Sequence, residues 1–186
     1  MEFDTDIIIA GGGLNGTTLA LALSSAGFDV TLADPVKQGV RKGAKFDGRS
    51  YALAIASKQV LSALGVWDGL KDVQPIFDIK VTDGRAGEGP SPLMLAFDHA
   101  EIEEGPMGFM VEDRHLRPAL LDAVSNAGIT QVSGESVVSE TPSAAGVAVT
   151  LSKGKTLNSR LLIGCDGKKS SIAKRAGIKR IGWEYD

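Results

Sequence analysis

The chain has 186 residues, 43% of them hydrophobic, with 20 Lys plus Arg against 23 Asp plus Glu and a net charge of −3. That length suits one domain, or one and a fraction, with enough apolar material for a core. A single cysteine excludes a disulfide framework and any cysteine-cluster metal or iron–sulfur site, the balanced charge argues against a nucleic-acid binder, and the short apolar runs leave no transmembrane helix.

The acidic N-terminus, Met1 to Asp6, has neither the basic nor the apolar region of a signal peptide, so a cytoplasmic protein is expected. Ile7, Ile8, Ile9 and Ala10 form a continuous β-branched run, as in a strand of a parallel sheet covered on both faces. Gly11, Gly12 and Gly13 follow, then a helical pattern with Leu19, Ala22, Leu23 and Ala26 repeating at three and four, stopped by Gly27. Phe28, Val30 and Leu32 alternate with polar residues into a second strand that Asp34 and Pro35 close. Residues 6–34 therefore read as strand, glycine turn, helix, strand: one βαβ unit.

Residues 36–48 show no period and read as a loop. Ser57 is placed to cap a helix with Val60, Leu61 and Leu64 inward and Gly65 as its stop. Residues 76–82 and 93–97 alternate as two half-buried strands around a Gly- and Pro-rich linker over 83–92, an antiparallel excursion from the main sheet. Asp113 opens a second long helix carrying Leu116, Leu120, Leu121 and Val124 on one face, with Pro118 expected to bend it or delay its start. Strands are expected over 129–132, 136–139 and 147–151, with a turn at 152–155 and a buried strand over 160–165. A short helix from about Ser170 to Ala176 ends the pattern at Gly177.

Gly11-x-Gly13-x-x-Gly16 is a dinucleotide fingerprint in full context: a buried strand before it, a helix opening from it, and an acid after the next strand. Gly11 permits the tight turn, Gly13 lets a pyrophosphate approach bare backbone, and Gly16 with Ala20 lets the helix press on the sheet. The helix N-terminus offers unpaired N–H groups and about half a positive charge to the phosphates. Asp34 is placed to accept both ribose hydroxyls, about 1.5–3 kcal/mol for a charge-assisted bond. It would repel a 2′-phosphate, so the adenosine is that of FAD or NAD. The fingerprint alone does not choose between these two. The interrupted pattern after the second strand leans toward FAD, because a doubly wound dehydrogenase would continue directly with strand–helix units.

Asp47, Arg49, Ala52, Leu53, Ser57, Leu61, Gly65 and Trp67 follow a spacing that resembles the ubiquinone-biosynthesis hydroxylases, FAD-dependent monooxygenases of the single-component flavoprotein aromatic hydroxylase class. Residues 111–117 resemble their next motif, at the start of a helix near the flavin. Gly164, Cys165, Asp166 and Gly167 resemble the Asp-Gly motif of the wider class, and residues 182–186 also match. The resemblance implies an α/β fold: a parallel-sheet, Rossmann-like FAD/NAD(P)-binding domain of glutathione-reductase type with an antiparallel excursion. It implies that Gly11, Gly13, Gly16 and Asp34 hold the adenosine end of FAD, and that Arg49 reaches the pyrophosphate or ring side. Asp166 and Gly167 would close on the ribityl–pyrophosphate region, with Arg114 a further basic residue of the site. NAD(P)H is the implied co-substrate, O2 the oxidant, and a polyprenylated phenol the substrate. Association with the inner membrane surface or with a ubiquinone-biosynthesis complex is compatible with such a substrate.

No acid–base or nucleophilic constellation stands out, and His99 and His115 lack partners at ligand spacing, so neither catalytic residues nor a metal site is assigned. From residue type alone, Arg49 could be a solvated loop arginine, Asp166-Gly167 a plain turn, and Cys165 a buried small apolar residue. The sequence departs from the family pattern at Ala173, where an arginine is usual, and in length. Residues 1–186 resemble the N-terminal portion of a longer enzyme, with 76–106 an excursion belonging to its substrate-side sheet. The expectation is weak or no FAD retention, no turnover for this chain alone, and a risk of self-association or loose folding from uncovered apolar surface. The competing readings are a fragment of an NAD-binding reductase or dehydrogenase and a non-catalytic nucleotide-binding module.

Overall fold

The structure, a computed structural model, describes residues 2–42, 47–84, 87, 89–101, 105–179 and 181–183. Parts of several expectations lie outside these residues: 43–46 of the loop, 85, 86 and 88 of the linker, 102–104 of the excursion, and 184–186 of the terminal motif. In chain order the elements are β1 (Thr5–Ala10), α1 (Leu14–Ser25), β2 (Val30–Asp34), α2 (Gln38–Lys42), β3 (Ser50–Ala54), α3 (Ile55–Ala63), β4 (Gln74–Ile76), β5 (Asp78–Thr82), β6 (Met94–Asp98), β7 (Gly108–Glu112), α4 (Asp113–Asn126), β8 (Thr130–Ser133), β9 (Val137–Pro142), β10 (Val147–Leu151), β11 (Thr156–Gly164) and α5 (Ser171–Arg175). They fall into two compact units, Met1–Ala44 with Arg117–Asp186, and Lys45–Leu116. No helix among the described residues is long and apolar enough to cross a membrane.

The first unit is built on a six-stranded sheet in the order β8-β2-β1-β11-β10-β9. β1 pairs in parallel with both β2 and β11, and β2 in parallel with β8, while β9, β10 and β11 form an antiparallel meander. Covered on both faces, β1 can be apolar at every position: Ile7, Ile8 and Ile9 are at most 6% exposed. Alternation sends Ile8 and Ala10 into a cluster with Ala33, Val137, Val147, Val149, Leu151 and Leu157, so the meander supplies the core on that face. Each fully buried aliphatic side chain there stabilises by about 1.5–3 kcal/mol.

α1 packs on β1 and β2. Its buried positions are Gly16, Thr17, Ala20 and Leu21, not the expected stripe of Leu19, Ala22, Leu23 and Ala26. Gly16 and Ala20 are the pair that the fingerprint sets against the sheet, and Thr17 and Leu21 share that face with them. Gly27 (φ +90°) follows the helix as expected. The expected loop over 36–48 contains α2, a five-residue helix with no buried residue, which is why no apolar period marks it. α4 begins at Asp113 without delay and carries Pro118 inside it. The proline costs one backbone donor, and burial of Leu116, Leu120, Leu121 and Val124, each at most 4% exposed, outweighs that loss. β11 starts earlier than expected and is not covered on both faces, because Leu161 is 50% exposed.

In the second unit, β7 pairs antiparallel with both β3 and β4, and β5 pairs antiparallel with β6 as a separate ribbon. β3, β4 and β7 were not expected as strands, since none is a long apolar run and each is defined by its partners. α3 begins two residues before Ser57, with Ala54 as its N-cap, so Ser57 lies inside the helix. Leu61 is buried as expected, whereas Val60 is exposed. The ring edge of Trp67 meets Phe109 at 5.0 Å between centroids. The β5–β6 ribbon pairs as expected but is not half-buried: every residue of both strands is exposed, including Ile79, Val81, Leu95 and Phe97.

Candidate nucleotide site

Three strands of the first unit end level with one another, with Ala10 of β1 opposite Ala33 of β2 and Gly164 of β11. Beyond that line the ladder is extended by Gly11 N–H donating to the Ala33 carbonyl and Cys165 N–H to the Ala10 carbonyl, both at 2.7 Å. β2 lies on one side of β1 and β11 on the other, so the strand order reverses between β1 and β11. That is the switch point at which open α/β sheets place ligands, outside the carboxyl ends of the strands.

The glycine turn is walled by backbone. Gly11 has φ +111°, and a Cβ there would sit 2.3 Å from the Cys165 carbonyl oxygen. A Cβ on Gly16 would sit 1.8 Å from the Gly11 carbonyl oxygen, so it is the turn itself, more than the sheet, that requires glycine in the helix. Gly13 is the opposite case, with no heavy atom within 4 Å of its Cβ position. The space over it is open, and it opens onto the start of α1. That helix runs for 12 residues, has no acidic side chain in its first turn and receives no side-chain cap. Its first N–H groups therefore point into open space with the positive end of the helix dipole behind them, an arrangement suited to a diphosphate.

Asp34 ends β2 at 7% exposure. Its Oδ2 accepts from the Gly12 N–H at 2.5 Å and its Oδ1 from the Val36 N–H at 2.8 Å. Arg41, which sequence reasoning left in a loop, forks across the same carboxylate, with Nε at 2.9 Å from Oδ1 and Nη2 at 2.8 Å from Oδ2. No sequence signal links residues 34 and 41, because the contact depends on α2 folding back over the end of β2.

Asp166 leaves β11 on the other side of β1 and lines a cavity of about 190 Å³ with Ala10, Gly11, Ala33, Pro35 and Lys169. Its Oδ2 accepts from the Ser171 N–H at 2.7 Å, the Ser171 hydroxyl at 3.2 Å and the Ile172 N–H at 3.3 Å. Burial pushes its acidity constant upward, but the nearby Ser170 hydroxyl and the hydrogen bonds from Ser171 and Ile172 outweigh that and hold it below the ordinary carboxylate range. Oδ1 is shielded and has no donor among the described residues, so the carboxylate offers a vacant acceptor to a ligand hydroxyl. Gly167 (φ +88°) turns the chain away. Burial, and then the charge of Asp166, pushes the Cys165 thiol up, against a nucleophilic role.

Ala173, where the family pattern has arginine, gives its N–H to the Ser170 hydroxyl at 3.0 Å. Arg175 does not replace the missing cation, because it is bonded to Glu140 through Nε at 2.9 Å and Nη2 at 2.7 Å.

The structure thus brings Gly11, Gly13, Gly16, Asp34, Asp166 and Gly167 to one edge of the first unit, while Arg49 and Arg114 belong to the second. Arg49 is held by Asp47, with Nε at 2.8 Å from Oδ2, and its Nη2 lies 3.7 Å from the buried Asp113. The Tyr51 hydroxyl donates to Asp113 at 2.7 Å, so Tyr51 and Asp113 support Arg49, a pair that sequence reasoning did not single out. Arg114 pairs with Glu112. The bare wall of the turn, the uncapped helix start and the vacant Asp166 oxygen together fit a dinucleotide such as FAD. Among the described residues, no group of three or more metal-ligating side chains could hold a metal ion.

A family model described as FAD binding domain matches residues 4–186. Ubiquinone hydroxylase UbiL of Rhodospirillum rubrum is 40% identical over 175 residues, covering 93% of this chain and 39% of the relative. The 3-demethoxyubiquinol 3-hydroxylase of Escherichia coli K12 is 29% identical, covering 97% of this chain and 46% of the relative. The chain thus spans less than half the length of these curated relatives. Among solved structures, a ternary complex of aklavinone-11 hydroxylase with FAD and aklavinone superposes with a TM-score of 0.73 at 23% identity, over 95% of this chain and 35% of that one, a likeness of fold.

Proposed function

The chain belongs to this FAD binding domain family, and from that premise we propose that it is the FAD-cradling part of a flavoprotein hydroxylase acting on a phenolic precursor in ubiquinone biosynthesis. The relatives named as ubiquinone hydroxylases supply the substrate class. A polyprenylated phenol would be met at a membrane surface, so a cytoplasmic, peripheral location goes with this reading, with NAD(P)H as the electron donor.

One observation carries it: the uncapped start of α1, the Asp34 carboxylate and the vacant Asp166 acceptor stand at the level ends of three adjacent strands. The N–H groups of residues 13–15 would take the diphosphate, Asp34 the adenosine ribose, and Asp166 Oδ1 a hydroxyl of the sugar-alcohol chain. The flavin supplies oxygen activation when bound; this chain's residues bind, orient and neutralise charge. In the second unit, Arg49 is braced by Asp47 and Asp113 and keeps its charge at any working pH.

Titrating the purified chain with FAD and with ADP, read by flavin fluorescence and calorimetry, tests the reading. Saturable binding of both is expected, with both lost in a variant combining Gly13→Val and Asp34→Ala. A variant that binds FAD as the parent does would overturn the site, and binding of NAD in preference to FAD would favour the reductase reading.

A further inference from the structure

The Asp34 carboxylate has no acceptor position left for a ribose. Each oxygen already takes one backbone N–H, from Gly12 and Val36, and one guanidinium N–H of Arg41. The backbone bonds belong to the turn and cannot be released without undoing it. The two guanidinium bonds can be released, and they go one to each oxygen, as two neighbouring hydroxyls on a ribose would. We propose that Arg41 stands in for the vicinal diol of an adenosine ribose, so that nucleotide binding is an exchange in which the diol displaces the arginine fork. This rests on the nucleotide reading of the site.

The anchoring of Arg41 supports the exchange. α2 has no buried residue, and Val40 at its centre is 67% exposed. Besides Arg41, it is tied down by a Gln38 amide donating to the Ser125 hydroxyl at 3.0 Å and by an exposed pair between Lys42 and Asp122. Contacts of that kind are weak individually, and the segment can lift without withdrawing a buried side chain of its own. The same geometry makes Arg41 a specificity-determining residue. A ligand with two adjacent hydroxyls replaces both bonds that it breaks, whereas one lacking the 2′-hydroxyl leaves a carboxylate oxygen short of a donor.

The test compares the parent chain with Arg41→Lys and Arg41→Met for ADP and 2′-deoxy-ADP by calorimetry. Arg41→Lys keeps the charge but cannot fork across both oxygens. Both variants are expected to bind ADP roughly three- to tenfold more tightly than the parent, the scale of a partly exposed ion pair that no longer has to be broken. The thermal midpoint without ligand is expected to fall in Arg41→Met, and the gap to narrow at saturating ADP as linkage requires. A crystal structure with ADP should show Arg41 off Asp34. If Arg41→Lys binds ADP no better than the parent, if Arg41→Met binds it more weakly, or if Arg41 keeps both contacts in the complex, the exchange is wrong. If neither parent nor variants bind ADP or FAD at all, the nucleotide reading fails and this inference with it.

Discussion

The strand ends of the first unit and the β5–β6 ribbon of the second are opposite solutions to the same problem of unfilled surface. At the strand ends, unmet demand is polar and local: N–H groups without caps, one carboxylate oxygen without a donor, and backbone packed so closely that side chains are excluded. On the ribbon the unmet demand is apolar and diffuse. Leu93, Val81, Leu95 and Phe97 are between 46% and 81% exposed. The first kind of surface specifies what must come to it. The second specifies only that something should, since burial of apolar area is non-directional.

Substitutions can break or sharpen this contrast, and the largest effect belongs to the turn. Gly16→Ala forces a methyl to within 1.8 Å of the Gly11 carbonyl, and backbone must move to relieve it. A loss of at least about 4 kcal/mol is expected from urea denaturation, above the ordinary range for a point change. Asp34→Ala comes next. It strips partners from Gly12, Val36 and Arg41 together, and about 2–3 kcal/mol of stability should go with adenosine binding.

Asp166→Asn gives a smaller and pH-dependent effect. The folded state holds this carboxyl below its ordinary range, so its contribution is present above the unfolded value of about 4 and fades as pH falls through the folded value. The stability gap between parent and variant should therefore be widest near neutrality and close in acid, measured by thermal melts across pH 2–7. Leu95→Ser on the ribbon should change the melting free energy by no more than about 0.5 kcal/mol, because its side chain is already in water. Its effect should show instead in light scattering, as reduced self-association. A ribbon substitution that destabilised as Asp34→Ala does would erase the distinction.

What could be read from the sequence follows the same division. β1, the turn, α1 and β2 are legible because each is set by neighbours a few residues away, and Gly11, Gly16 and Asp34 fall where the fingerprint puts them. The inner face of α1 is legible in part: the fingerprint sets Gly16 and Ala20 against the sheet and both are buried, whereas the apolar period points to Leu19, Ala22, Leu23 and Ala26, none of which is. β3, β4 and β7 exist only as partners of one another. The Arg41 fork and the Tyr51–Asp113–Arg49 brace join residues whose proximity no spacing rule encodes. Asp166 reads as half of a turn dipeptide, and only the fold reveals that one of its oxygens lacks a donor.

The parallel pairing of β1 with β11, which sets Thr5 against Ser159 and Ala10 against Gly164, also dictates an order of events during synthesis. β1 precedes β11 in the chain and has to wait for it before one of its edges is covered. Until then Ile7, Ile8 and Ile9 are exposed to chaperones, and the carbonyl of Cys165 that backs the turn is absent. Such long-range closure makes folding slow, so a nascent or C-terminally clipped chain would present the glycine fingerprint intact in its residues and yet have no cradle to offer.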